Sequence, residues 1–398
     1  MGIQTLNVKG FRSLRDVTWA PGKLNVIIGP NGSGKSNLLR ALALLQKSVQ
    51  GELPEEILKA GGIAPLLWDG QVHELAWSLQ TDVKQGALNY ELALHQLGAT
   101  SAYRVEREAL DKRIKGGILG VMVTPPPAVH TSRKYIERTP VSAATFDVEE
   151  RKLVAHEGSI PDDQTLLALL AGPFSNPVVA GFRDMVAGWS LYHDVHVDQG
   201  AKLRQATVAR MDRRVAADGQ NLISVLHTLY TGSRDFKRSL DDAMRAAFGG
   251  DYEELVFPPA ADQRVQMRVR WRSLKTEQSA ADLSDGTIRF LLLLAILANP
   301  TPGDLIAIDE PEVGLHPSML PIIAEHAAAA AEHTQVILTT HSTQLLDAFT
   351  DTPPTTTVAK WQDGETNLAI VDSEELARWL QTYSLGALFR TGELEGMV

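Results

Sequence analysis

The segment Gly29-Pro30-Asn31-Gly32-Ser33-Gly34-Lys35-Ser36 narrows the folds open to this 398-residue chain more than any other stretch of it. It fits the pattern G-x(4)-G-K-[ST], and its flanks fit as well. The apolar run from Leu24 to Ile28 reads as a buried strand, and Leu38, Leu39, Leu42 and Leu45 recur at helical spacing. A strand, a glycine loop and a helix in that order form a phosphate cradle. Glycines let successive backbone N–H groups converge on an anion, and the helix amino terminus adds positive potential. Lys35 would reach the β and γ phosphates of a nucleoside triphosphate, and the Ser36 hydroxyl would ligate Mg2+.

Two further apolar strands end in groups suited to phosphoryl transfer. Leu305-Ile-Ala-Ile-Asp309-Glu310 ends in adjacent carboxylates. Successive strand residues face opposite sides, so the two acids need not share a role. Asp309 would hold Mg2+, directly or through water, and Glu310 would serve as general base toward the attacking water. Val336-Ile-Leu-Thr-Thr-His341-Ser342 ends in a histidine whose neutral imidazole can bond a γ-phosphate oxygen or that water. Taken alone, a histidine at a strand end is more often structural. Leu283-Ser284-Asp285-Gly286-Thr287 precedes the apolar run from Phe290 to Ala298. Ser284 and Gly286 make either an ordinary N-cap or an anion site, because both use free N–H groups at a helix amino terminus. Their position between the glycine loop and the acidic strand favours the anion site.

The chain has no cysteine, which excludes disulfides, thiolate metal sites and thiol catalysis and makes the cytoplasm the default compartment. The longest apolar run, Phe290 to Ala298, falls short of the roughly 20 residues that cross a bilayer. The amino terminus lacks the apolar stretch of a signal peptide, and Leu6 stands where a myristoylation pattern needs Ser or Thr. No membrane partner is expected. A formal net charge of −10 argues against a coat of nucleic acid while leaving room for a local basic patch. Arg264, Arg268, Arg270 and Arg272 alternate with Val265, Met267, Val269 and Trp271. A solvated strand face paired to neighbouring acids is the plainer reading of those arginines. His193, Asp194, His196 and Asp198 lack the further spaced cluster that a metal site requires.

Helix and strand patterns alternate from Leu283 onward, which implies a parallel sheet flanked by helices and makes both chain ends parts of one α/β body. Short alternating segments between Val72 and Leu110 predict an antiparallel β subdomain beside it. Pro125, Pro126 and Pro127 and the polar stretch from Glu149 to Asp163 read as loops, and residues 164–248 read as mostly helical. The expected divisions are 1–158, carrying the glycine loop and β subdomain; 159–250, a mostly helical insertion; and 251–398, carrying the Ser284 motif, the acidic strand and His341.

The order of these motifs, with the turn Glu310-Pro-Glu312-Val-Gly-Leu-His316-Pro among them, resembles the ABC-type ATPase heads of the RecF, Rad50 and SMC kind. Among these the chain is most similar to compact prokaryotic AAA family ATPases related to overcoming-lysogeny (OLD) nucleases. Val8-Lys-Gly-Phe11-Arg12-Ser13-Leu is similar to their first strand and turn, and Asp218-Gly-Gln-Asn221-Leu222 to another of their segments. The resemblance covers about residues 1–50 and 280–350. It implies a P-loop head that binds ATP and Mg2+, with Arg12, Asn31, Gly32, Ser33, Gly34, Lys35, Ser36 and Asn37 as nucleotide contacts. It also implies a head-to-tail homodimer, with larger assemblies left open, in which Ser284 and Gly286 of one copy meet the γ-phosphate held by Lys35 of the other. Glu310 and His341 would then be the catalytic pair. Asp285 and Thr287 depart from the pattern, standing where a glycine and a glutamine are usual. No acidic nuclease cluster follows the ATPase motifs, and by analogy with the family the resemblance implies a separate effector subunit, a nuclease or toxin, acting in anti-phage defence, with DNA left open as a further partner. DNA repair of the RecF and Rad50 type is the alternative. A transporter energy module fits less well, because the stretch from Ser36 to Leu283 is far longer than that family's spacing.

Overall fold

The computed structural model describes residues 2–83, 86–98, 100–114, 131–148, 150–156, 158–170, 176–349 and 352–398. The expected loop at Pro125 to Pro127 lies outside them, as does Glu149. The chain divides into two units, one made of 1–22, 30–189 and 359–369 and the other of 23–29, 190–358 and 370–398.

In the first unit an eight-stranded antiparallel sheet runs in the order Leu14–Trp19, Ile3–Phe11, Glu74–Val83, Gly86–Gln96, Tyr103–Ile114, Thr131–Thr139, Ser142–Asp147 and Lys152–Ala155. Its register is fixed by a buried row. Leu6 pairs with Leu79, Leu79 with Tyr90, Tyr90 with Leu110 and Leu110 with Ile136, and all five side chains are fully buried. A slip of one residue would turn that whole row toward water. The helix Lys35–Gln50 buries Leu38, Leu39, Leu42 and Leu45, and Trp77 Nε1 donates to Ala41 O at 3.1 Å.

Glu108, fully buried in the same unit, accepts from Tyr90 Oη at 3.0 Å, Leu166 N at 2.5 Å and Leu167 N at 2.8 Å. It therefore caps the short helix Leu166–Leu169 from a neighbouring strand. Glu108→Ala would leave three buried donors without an acceptor. Chemical denaturation of that variant is expected to give a loss of about 3 kcal/mol.

The second unit holds a parallel sheet in the order Ser190–Tyr192, Leu305–Asp309, Gln335–Thr340 and Leu24–Ile28, joined next by residues 355–358 of the strand Thr355–Gln362. Leu24–Ile28 and Gln335–Thr340 are buried throughout, the pattern of strands covered on both faces. The helix Asp285–Leu297 buries Ile288 and every residue from Phe290 to Leu297. The expected parallel sheet with flanking helices is present.

Residues 159–250 do not stand apart as a helical piece. The helices Leu166–Leu169 and Pro177–Ala187 belong to the first unit, while Leu222–Gly232 and Arg234–Phe248 belong to the second. Between them Ser190–Tyr192 joins the parallel sheet at its edge. Three residues are too few for strand alternation to register in a sequence. The arginine-rich strand also divides: Arg264–Val265 and Arg268–Trp271 lie in different small sheets. Val265, Met267 and Val269 are buried as expected, and of the four arginines Arg270 bonds Glu254 and Glu277 while Arg268 bonds Gln266.

Candidate functional site

In the first unit the glycine loop is held from behind. Gly32 and Gly34 have φ of 81° and 93°, the left-handed region that glycine adopts without strain. Gly34 is required for a second reason. A Cβ there would sit 1.9 Å from Thr366 Oγ1 and 2.7 Å from Ser13 Oγ. Thr366 Oγ1 lies 2.9 Å from the carbonyl of Ser33 and 2.7 Å from Ser13 Oγ, and Asn37 Nδ2 donates to Ser13 Oγ at 2.8 Å. Asn37, expected among the nucleotide contacts, thus aims its amide at this brace. Lys35 is 4% exposed and donates from Nζ to Pro30 O at 3.0 Å. Ser33 Oγ is buried with no hydrogen-bond partner among the described residues, and a Cβ on Gly32 would meet open space. An unsatisfied buried hydroxyl beside an open glycine suits an anion acceptor. Arg12 has φ 47° and a buried Nε with no hydrogen-bond partner among the described residues; burial, and then the neighbouring Arg40, lower its pKa.

In the second unit, register gathers the other groups at one edge. Asp309 pairs with Thr339 and Thr340 with Ile28, so Gly29, Glu310 and His341 all follow the carboxyl ends of parallel strands. Ligands of α/β sheets bind at that edge. Asp309 Oδ1 accepts the Thr339 hydroxyl. Glu310 departs from the strand with φ 47°, and its N–H donates to Thr339 O at 3.1 Å. A non-glycine residue in that conformation costs roughly 1–3 kcal/mol and tends to mark a functional position. Glu310 Oε1 lies 3.1 Å from His341 Nδ1. The acid therefore orients the imidazole and leaves Nε2 as its outward nitrogen.

Glu312 has a part that the sequence reading left unassigned. Its side chain is 8% exposed, and Oε1 accepts the Thr340 hydroxyl and, at 3.3 Å, the N–H of His341. It fixes the backbone that carries the histidine. At the helix Asp285–Leu297, Ser284 Oγ accepts from Thr287 N at 3.1 Å and lies 2.8 Å from Thr287 Oγ1, so threonine in place of the usual glutamine tightens the cap. A Cβ on Gly286 would meet Gly314 O at 2.7 Å, which brings this helix start against the turn that follows Glu310. Arg289, one turn along, has its pKa lowered by burial, while Glu312 and Glu310 act to raise it. Among the described residues no group of His, Asp and Glu forms a metal cluster, and His196 simply faces Asp194 at 3.7 Å.

The family described as "AAA domain, putative AbiEii toxin, Type IV TA system" matches residues 24–92 and 165–347, more than half of the chain. The chain belongs to this AAA-domain family. The match takes in the glycine loop, the Ser284 turn, Asp309, Glu310 and His341. An OLD nuclease from Thermus scotoductus is 23% identical over 353 residues, covering 85% of this chain and 59% of that protein. The chain thus spans less than two thirds of that relative's length. A RecF protein from Idiomarina loihiensis is 50% identical over 46 residues, 11% of this chain and 13% of that one. In fold, the chain is similar to an SMC head solved with the C-winged helix domain of ScpA, with TM-score 0.58 and 14% identity over 95% of this chain and 100% of that one. An SMC head from Pyrococcus furiosus gives TM-score 0.56 at 13% identity, covering 95% of this chain and 98% of that one. The AAA-family chain therefore has the α/β P-loop fold of an ABC-type ATPase head of the RecF, Rad50 and SMC kind. Among its described residues no helix is long and apolar enough to cross a membrane.

Proposed function

We propose that the chain binds ATP with Mg2+ on its glycine loop, closes with a second copy around two nucleotides, and hydrolyses them slowly as a conformational switch. The observation that carries this reading is Glu310, held in a left-handed conformation at the carboxyl edge of the parallel sheet with its carboxylate 3.1 Å from His341 Nδ1. A scaffold that only bound nucleotide would have no need of that pair. Lys35 and the loop amides bind the phosphates, Glu310 takes the proton of the attacking water, and His341 orients that water or a γ-phosphate oxygen. Ser284 and Gly286 offer the γ-phosphate of the partner copy a helix amino terminus. The oxygen donors Ser36 and Asp309 suit Mg2+, which when bound would neutralise phosphate charge.

The switch would drive a separate effector, a nuclease or toxin, in anti-phage defence. The family description, with its toxin–antitoxin system, and the OLD nuclease similarity support that process. The RecF similarity favours DNA repair as a second reading. Phosphate release from ATP by the purified chain, with Mg2+, with chelator and with duplex DNA, tests both. Slow release that stops in chelator is expected. Acceleration by DNA would favour repair, and Mg2+-independent release would contradict the assigned chemistry.

A further inference from the structure

Asp285 places a carboxylate in the first turn of the helix that Ser284 caps. A carboxylate suits a helix amino terminus, yet it repels any phosphate approaching the same amides. Arg204 answers it from a remote segment. This arginine is 3% exposed and ends the short turn Lys202–Arg204. Its Nε donates to Val197 O at 2.8 Å, its Nη1 to Ala280 O at 3.2 Å and Leu283 O at 2.6 Å, and its Nη2 to Asp285 Oδ1.

The cation is held in place by its surroundings. Leu203 N donates to Gln220 Oε1 at 3.2 Å, Gln220 Nε2 to His196 O at 3.0 Å, and Ala216 N to Asn221 Oδ1 at 2.8 Å. The Asp218-to-Leu222 motif therefore ties down the loop that delivers Arg204. A buried guanidinium is stable only when its donors are met, and three backbone carbonyls meet most of them here. The remaining bond is the informative one. The arginine side chain is 1% exposed, whereas that of Asp285 is 62% exposed, so a buried charge reaches outward to the one acid of the helix start.

We infer that Arg204 is a positioning residue for the Ser284 turn. It neutralises Asp285 and engages the carbonyls of Ala280 and Leu283, so that an anionic phosphate would meet the helix start without an uncompensated carboxylate. The inference rests on the proposed contact of Ser284 and Gly286 with the partner copy's nucleotide. It also accounts for Asp285 in place of a glycine: the acid and its buried arginine work as a pair.

The test compares Arg204→Gln with the double variant Arg204→Gln, Asp285→Gly in the full chain, reading kcat, ATP affinity and melting temperature. Arg204→Gln is expected to lower kcat about tenfold while ATP affinity holds, because the chain's own glycine loop lies elsewhere in sequence and is unaltered. Adding Asp285→Gly is expected to restore kcat to within about threefold of wild type, since the unpaired charge is gone. A double variant as slow as the single one would make Arg204 a prop for the loop and overturn the inference. If Arg204→Gln does not fold, Arg204→Lys gives the same comparison, since one amine cannot span the carbonyls and Asp285 together; a loss that Asp285→Gly fails to reverse overturns the inference there too. Ser284→Arg is the control for the underlying reading. Wild-type kcat in that variant would remove the γ-phosphate contact itself, a different failure from an unrescued Arg204 variant.

Discussion

Glu310→Gln is expected to bind ATP like wild type and to turn it over about a thousandfold more slowly, the usual contribution of a positioned general base. Glutamine keeps the size of the side chain and can still hydrogen-bond His341 Nδ1, which lies 3.1 Å from Glu310 Oε1. What it loses is the capacity to take a proton. The left-handed backbone of Glu310 should tolerate the change, since its N–H is held at 3.1 Å by the Thr339 carbonyl whatever the side chain. Single-turnover hydrolysis, with nucleotide binding measured separately, checks this. Loss of binding together with turnover would place Glu310 in the cradle instead of the chemistry.

Lys35→Ala is expected to weaken ATP binding by roughly a hundredfold, since charge-assisted bonds to phosphate are worth about 1.5–3 kcal/mol each. The ammonium is oriented by its bond to Pro30 O at 3.0 Å, so little side-chain freedom remains to be lost when phosphate arrives. Isothermal titration with a non-hydrolysable ATP analogue reads the change, and a melting temperature near wild type shows that the loop survives. The order of the two variants matters: Lys35→Ala should fail at binding and Glu310→Gln only afterwards.

The residues that were legible in the sequence are those whose neighbours along the chain define them. Leu24 to Ile28 followed by glycines and Lys35 carries its strand, loop and helix within one short stretch. Asp309, Glu310 and His341 end or follow short apolar runs whose length suits buried strands, and strands they are. The residues that went unread act across the chain. Thr366 reaches the glycine loop from a strand more than three hundred positions later, and nothing near it in sequence says so. Ser13 and Arg204 are likewise given their tasks by tertiary contacts. Glu312 looks like part of an acidic turn until burial shows it bonded to Thr340 and the backbone of His341. The helical reading of 159–250 failed at Ser190–Tyr192 and Thr207–Val208, short strands that form because Leu305–Asp309 and Arg264–Val265 offer them an edge.

In the proposed switch, ATP joins two copies of this chain. The most direct measurement is the mass in solution of Glu310→Gln with Mg2+ and ATP, compared with ADP and with the same chain carrying Ser284→Arg. With ATP alone the mass is expected to double, returning to the monomer with ADP or with the second substitution. A mass that stays monomeric while ATP is bound would contradict it.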